Sequence, residues 1–149
     1  MANADAVGTE GKTYDLDVER GKIREFAVAT YSSNPDYLER EDAVSPPTFL
    51  TTINFWAPPE GNPWKAVEFD GKRGLHAEQQ YEFFGPPPAA GTRLRCTSRI
   101  TDVYTKQGRR GGELTFAVMV TDFVDDTGTV VARATMTGVE TARPATEDA

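Results

Sequence analysis

Apolar residues recur at Ile23, Phe26, Ala27 and Tyr31 within residues 18–31. That i, i+3, i+4, i+8 spacing lays them along one stripe of an amphipathic helix, with Gly21 weakening the first turn. Ser32-Ser33-Asn34-Pro35 is turn chemistry, and residues 32–46 read as a loop that Pro46-Pro47 closes. Pro47 suits the first position of a second helix, where its missing N–H would be an orphan anyway. This helix is predicted over 47–56, with Phe49, Ile53 and Trp56 on one face. It has few polar breaks and is expected to be deeply buried, and Ala57-Pro58-Pro59-Glu60-Gly61 marks its end.

Beyond residue 74 the period changes from helical to two, with β-branched and aromatic residues enriched. Residues 75–84 form a first run. In 92–104, Leu94, Cys96, Ser98 and Ile100 face one way while Arg93, Arg95, Thr97 and Arg99 face the other. In 113–124, Leu114, Phe116, Val118 and Val120 share a side, as do Val130, Ala132, Ala134 and Met136 in 129–139. Turn-like segments at 85–91, 107–112 and 125–128 join these runs, which predicts an antiparallel meander. A short strand is expected over 13–17. The fold class is therefore α+β, two helices followed by a sheet, with one sheet face wrapped around the helix at 47–56. Residues 1–12 and 141–149 are small, polar and charged and are expected to be flexible tails, leaving 13–140 as a single domain.

A chain of 149 residues is the usual size of one domain and buries a core without staples. Its one cysteine, Cys96, offers no disulfide framework and lies in a strand-like run, so it reads as a buried structural thiol. The sequence contains no apolar run of membrane-spanning length and no basic-then-apolar leader at its start, and it is read as cytoplasmic. A net charge of −7 argues against nucleic acid, whose phosphates call for clustered Lys and Arg. Local basic patches that an acidic carrier protein would need are confined to Arg93, Arg95 and Arg99 on one strand face, and Lys106, Arg109 and Arg110 in one loop. There is no phosphate-binding glycine loop, nucleophile elbow or metal-ligand cluster, so neither metal nor cofactor is expected.

Several segments in the same order resemble one family. They are Lys22-Ile23-Arg24-Glu25-Phe26-Ala27, Asn34-Pro35, Ser45-Pro46-Pro47-Thr48-Phe49, Leu75-His76-Ala77-Glu78-Gln79 and Ser98-Arg99-Ile100-Thr101-Asp102-Val103-Tyr104. Together with the loop 108–112 they resemble the MaoC-like hydratase/dehydratase proteins of the hot-dog fold, in particular the N-terminal dehydratase-like half, over roughly residues 12–140. The resemblance implies a sheet wrapped around a central helix, and dimers whose sheets join with an acyl-thioester tunnel between them. Active members add water reversibly to an enoyl thioester of coenzyme A or acyl-carrier protein. They use a motif Asp-x-Asn-Pro-x-His, whose Asp and His handle water and protons. A backbone amide at the start of the central helix holds the thioester oxygen.

Aligned on Asn34-Pro35, this chain has Ser32 where the family has Asp and Tyr37 where it has His. Neither supplies the same acid–base chemistry near neutral pH. Pro46-Pro47 also removes amides near the helix start, although the Thr48 amide remains. In some dehydratases two different hot-dog chains pair, and only one carries Asp and His. The resemblance therefore implies a non-catalytic acyl-thioester-binding subunit of an (R)-specific enoyl-CoA hydratase or 3-hydroxyacyl-thioester dehydratase. Ser32, Asn34, Tyr37, Thr48 and Phe49 are expected nearest the acyl thioester. One alternative is a stand-alone homodimeric hot-dog enzyme, hydratase or acyl-CoA thioesterase, using Asp36, Glu39 or Asp42. The other is a non-enzymatic acyl-binding module. His76, the single histidine, opens a strand far from the motif and reads as structural or surface. The charges at Asp36, Glu39, Glu41 and Asp42 read first as a solvated run, Arg109 and Arg110 as a hairpin tip, and Phe49, Ile53, Phe55 and Trp56 as core.

Overall fold

The computed structural model describes residues 2–109 and 111–143. Five strands form one antiparallel sheet: β1 (Tyr14–Asp17), β2 (Gly74–Phe83), β3 (Arg93–Gln107), β4 (Glu113–Val124) and β5 (Val130–Glu140). Their spatial order is β1-β3-β4-β5-β2. Hairpins join β3 to β4 and β4 to β5, as the sequence predicts. The expected meander fails at its first step, because β2 pairs with β5 and not with β3. Residues 85–91 are therefore a crossing, not a hairpin, and they are stitched to the chain before the central helix. Ser45 N–H donates to the Pro88 carbonyl, Ala90 N–H to that of Ala43, and Gly91 N–H to that of Val18.

The described residues contain two α-helices, α1 (Arg20–Ala29) and the short α2 (Pro35–Leu38). The first follows its apolar stripe: Ile23 and Ala27 are fully buried. The second lies inside the expected loop. Asn34 starts it, its Oδ1 accepting from the Asp36 N–H at 3.0 Å, with Pro35 in the first turn.

The central helical segment is Phe49–Phe55, seven residues of 3-10 helix, not a longer α-helix from Pro47. Pro46 to Phe49 is a turn closed by Phe49 N–H on the Pro46 carbonyl, where Pro47 has the fixed φ that the second turn position favours. The β-branched run Thr51, Thr52, Ile53 gives the segment little α preference, and 3-10 stretches stay short. Its inner face carries Phe49, Leu50, Thr52 and Ile53. Phe55 and Trp56, expected in the core, are instead 86% and 41% exposed.

The sheet wraps this segment with Leu16, Leu94, Cys96, Phe123, Ala132 and Ala134, while Ile23 and Phe49 close the layer from the helical side. Phe26 meets Phe49 edge to face, ring centroids 5.7 Å apart. On β3 the predicted inward set, Leu94, Cys96, Ser98 and Ile100, is buried. Burial pushes the Cys96 thiol up to about 12, the state of a structural cysteine. On β4 the inward face is the other one, with Thr115, Ala117, Thr121 and Phe123. Both faces of that strand are apolar, so alternation alone could not orient it. Outside, Phe116 stacks on Tyr104 at 5.1 Å, with Lys106 over both rings.

Residues 2–12, expected to fray, are docked. Asn3 N–H donates to the Val67 carbonyl, Gly8 N–H to Ile100 and Gly11 N–H to Ser98, and Ala6 is buried. At the other end Thr141 N–H donates to the Arg73 carbonyl, and the rest of the expected C-terminal tail, 144–149, lies outside the described residues. Among the described residues no helix is long and apolar enough to cross a membrane.

Asp122 links three strands, accepting from Arg99 at 2.7 Å and Arg133 at 2.6 Å. Partial burial pushes its carboxyl up, but the two guanidinium bonds outweigh that and hold it below the ordinary carboxylate range. A lowered folded pKa gives stability that is present above the unfolded value, ~3.9, and is lost as pH falls through the folded value. The acid limb of a melting-temperature profile should therefore lie below about pH 4, and Asp122→Asn should flatten part of it while costing ~1–2 kcal/mol at neutral pH.

Candidate functional site

The motif loop leaves α1 through a left-handed residue. Tyr31 N–H bonds to the Val28 carbonyl and Ser32 N–H to that of Ala27, the paired bonds of a helix C-terminus that glycine usually closes. Here a tyrosine occupies the position at φ 57°, its side chain 96% exposed. Left-handed backbone costs a non-glycine residue ~1 kcal/mol. Tyr31→Gly should therefore leave the melting temperature unchanged or raise it by a few degrees, read by calorimetry. A clear drop would show that the ring packs on something.

Ser32 and Asn34 hold the loop's shape. Asn34 N–H donates to Ser32 Oγ at 3.3 Å, and Asn34 Oδ1 caps α2. Tyr37 is half-buried, its side chain packed on the main core. Among the described residues, no hydrogen bond joins Ser32 or Tyr37 to a histidine or a carboxylate. Phe49 is completely buried, and Thr48 is exposed at the start of the 3-10 segment with no side-chain capping bond. The five residues expected at the acyl thioester thus sit along one stretch, from the α1 terminus to the central segment.

The concave surface lies a turn further along. A cavity of about 120 Å³ runs beside the central segment, lined by Leu50, Thr51, Ile53 and Asn54 on one side and by Tyr81, Thr121 and Met136 on the sheet. Burial raises the Tyr81 phenol above its ordinary value, opposed by a hydrogen bond with Thr51, so it stays protonated. A larger cavity, about 610 Å³, adjoins it, with Trp64, Phe69, Leu75 and Met136 among its walls. His76 lines both. Its Nε2 is 3.1 Å from the Glu78 carbonyl, and a hydrogen bond there has Nε2–H as the donor. None of Ser32, Asn34, Tyr37, Thr48 or Phe49 lines either cavity.

The sequence located the central segment but not its extent or its exposed end, and it missed Thr51, Asn54, Tyr81 and Met136 and set His76 aside. Without the pairing of β2 to β5 nothing brings position 76 near 136. Asp36, Glu39 and Asp42 also line neither cavity. Arg40 donates to both oxygens of Asp42 and holds that carboxyl low, the opposite of a base poised near neutrality. The cationic strand face is partly consumed, since Arg93 pairs with Asp17 and Arg99 with Asp122. Arg109 is exposed in its loop, and Arg110 lies outside the described residues.

Three comparisons bear on this arrangement. The family model of the FAS1-like dehydratase domain region matches residues 5–134. A UPF0336 protein of Streptomyces coelicolor is 34% identical over 104 residues, 64% of this chain and 69% of its own. One of Streptomyces griseus is 34% identical over 110 residues, 66% and 73%. Among solved structures, the C-terminally truncated HadBC (3R-hydroxyacyl-ACP dehydratase) complex of Mycobacterium tuberculosis superposes with a TM-score of 0.72 at 23% identity, covering 91% of this chain and 97% of the other. The ChsH1–ChsH2 complex of the same organism gives 0.73 at 17%, covering 93% and 87%. At those identities the likeness is one of fold: the hot-dog fold of the MaoC-like dehydratases.

Proposed function

Since the chain belongs to the FAS1-like dehydratase-region family, we propose that it is the acyl-thioester-binding, non-catalytic subunit of an (R)-specific enoyl-CoA hydratase or 3-hydroxyacyl-thioester dehydratase. The observation that carries this reading is the motif loop. The resemblance puts Ser32 and Tyr37 at the positions of the family's acid–base pair, and here they are engaged in holding the loop and the core. A second hot-dog chain then supplies Asp and His. Support for pairing comes from β2, a ten-residue edge strand exposed along most of its length. The structural relatives named above include complexes of two such chains. In this reading the acyl group enters along the central segment, Ser32, Asn34, Tyr37, Thr48 and Phe49 shape the neighbouring wall, and the complex works in the cytoplasm on coenzyme A or carrier-protein thioesters in fatty-acid metabolism.

Hydration of crotonyl- and octenoyl-coenzyme A, followed as loss of enoyl absorbance, tests it. The isolated chain is expected to be inactive, and addition of a hot-dog partner carrying Asp and His should give activity that Tyr37→Ala alters in chain-length preference. Robust turnover by the isolated chain would overturn the reading.

One observation favours a second reading, a stand-alone enzyme with a relocated base. His76 lines both cavities. Activity of the isolated chain that His76→Ala abolishes would establish it.

A further inference from the structure

The two cavities are neighbours by construction of the sheet. His76 on β2 is opposite Gly138 on β5, and Gln79 is opposite Met136. A bulge between His76 and Glu78 shifts the phase of β2 there, which re-aims the side chains on either side of it. His76 and Met136 are the two residues common to both linings. They form the partition.

The larger cavity has a fixed floor. A Cβ at Gly138 would lie 2.5 Å from Trp64 Cζ2 and 3.2 Å from Phe69 Cε2, so glycine there is what lets the indole lie on the strand. Trp64 and Phe69 lock edge to face at 5.4 Å. Leu75 and Met136 continue the apolar wall, and Lys65, Glu68 and Asn62 add polar groups. A compartment of about 610 Å³ lies inside the usual range for organic ligands, roughly 300–1,000 Å³, whereas about 120 Å³ falls below it. The small cavity therefore holds only a short acyl segment, and the larger one has room for the remainder of a long chain.

Resting on the acyl-thioester reading above, we infer that the Trp64–Phe69–Gly138 compartment receives the distal part of a long acyl chain, and that Met136 is the residue that divides short-chain from long-chain binding. Short chains end beside the central segment, at Thr51, Asn54 and Tyr81. Longer ones pass Met136 and His76 and lie on Trp64.

Titration calorimetry of the full chain with butyryl-, octanoyl-, dodecanoyl- and palmitoyl-coenzyme A tests this without turnover. Burying one methylene is worth about fourfold in affinity, so dodecanoyl-coenzyme A should bind at least ~100-fold tighter than the butyryl thioester. Met136→Trp should bring the ratio of dodecanoyl to butyryl affinity down to near one, while Met136→Ala should keep the ratio high, which guards against a variant that simply folds badly. The location is read separately by fluorescence. Palmitoyl-coenzyme A should change the emission of the protein and of Trp56→Phe, but not that of Trp64→Phe. Equal affinity for all chain lengths, or a fluorescence change that survives Trp64→Phe, overturns the two-compartment inference while the acyl-binding reading stands. Absence of binding by every thioester overturns both.

Discussion

Phe49→Ala is expected to destabilise the chain by about 3–5 kcal/mol, the usual cost of emptying a fully buried aromatic site. Phe49 is completely enclosed and holds α1 against the sheet through Phe26 and its neighbours Leu50 and Ile53. Domains of this kind have ~5–15 kcal/mol to lose in total, so the melting temperature should fall on the order of 10 °C. Urea unfolding should show a lower midpoint with an unchanged slope. A loss under ~1 kcal/mol would mean that the ring lines an open pocket and not the core.

Arg73→Met should be comparably severe, about 3–5 kcal/mol, because it removes one side of a buried charge pair. Arg73 Nη2 lies 2.9 Å from Glu140 Oε1, and the Glu140 side chain is 3% exposed. The same guanidinium reaches Asp70 at 3.0 Å and the Thr141 carbonyl at 3.2 Å. The Asp70 N–H also donates to Glu140 Oε2 at 2.8 Å. Residues 68–74, which supply Glu68, Phe69, Gly71 and Gly74 to the wall of the larger cavity, are thereby pinned to the end of β5. Arg73→Met should therefore speed hydrogen exchange across 68–74 as well as lower stability. Adding Glu140→Met should recover most of the loss, since a packed apolar pair avoids the buried charge. A double variant no better than the single would place the cost elsewhere.

The strands and α1 were legible because their periodicities are local: Ile23 and Ala27 bury as the stripe requires, and Leu94 to Ile100 alternate as expected. The inner face of β4 was not, because Phe116 and Val118 look as apolar as Ala117 and Phe123, and the choice between them is made by what the sheet packs against. Strand order was also hidden. Nothing local in residues 85–91 says that β2 crosses to β5. The turn at Ser32 to Pro35 was legible from its composition, whereas the short helix α2 that Asn34 starts was not. The cavities were not, because Met136, Tyr81 and His76 converge only through that crossing and through the bulge after His76. The docked N-terminal segment defied its composition for a related reason. Its backbone finds partners on β3, through Gly8 and Gly11, and Ala6 packs in one buried cluster with Ile100.

The sheet has two unlike borders. One is β2, ten residues long, and the other is β1, four residues long, followed in space by the irregular run from Gly8 to Gly11 along β3. Hydrogen-bonded growth needs a long continuous rim at both ends. Two chains that met along β2 would turn outward only their short, interrupted borders. Addition would stop there, at a closed two-chain particle, and the lopsided rim of the single sheet would itself set the count.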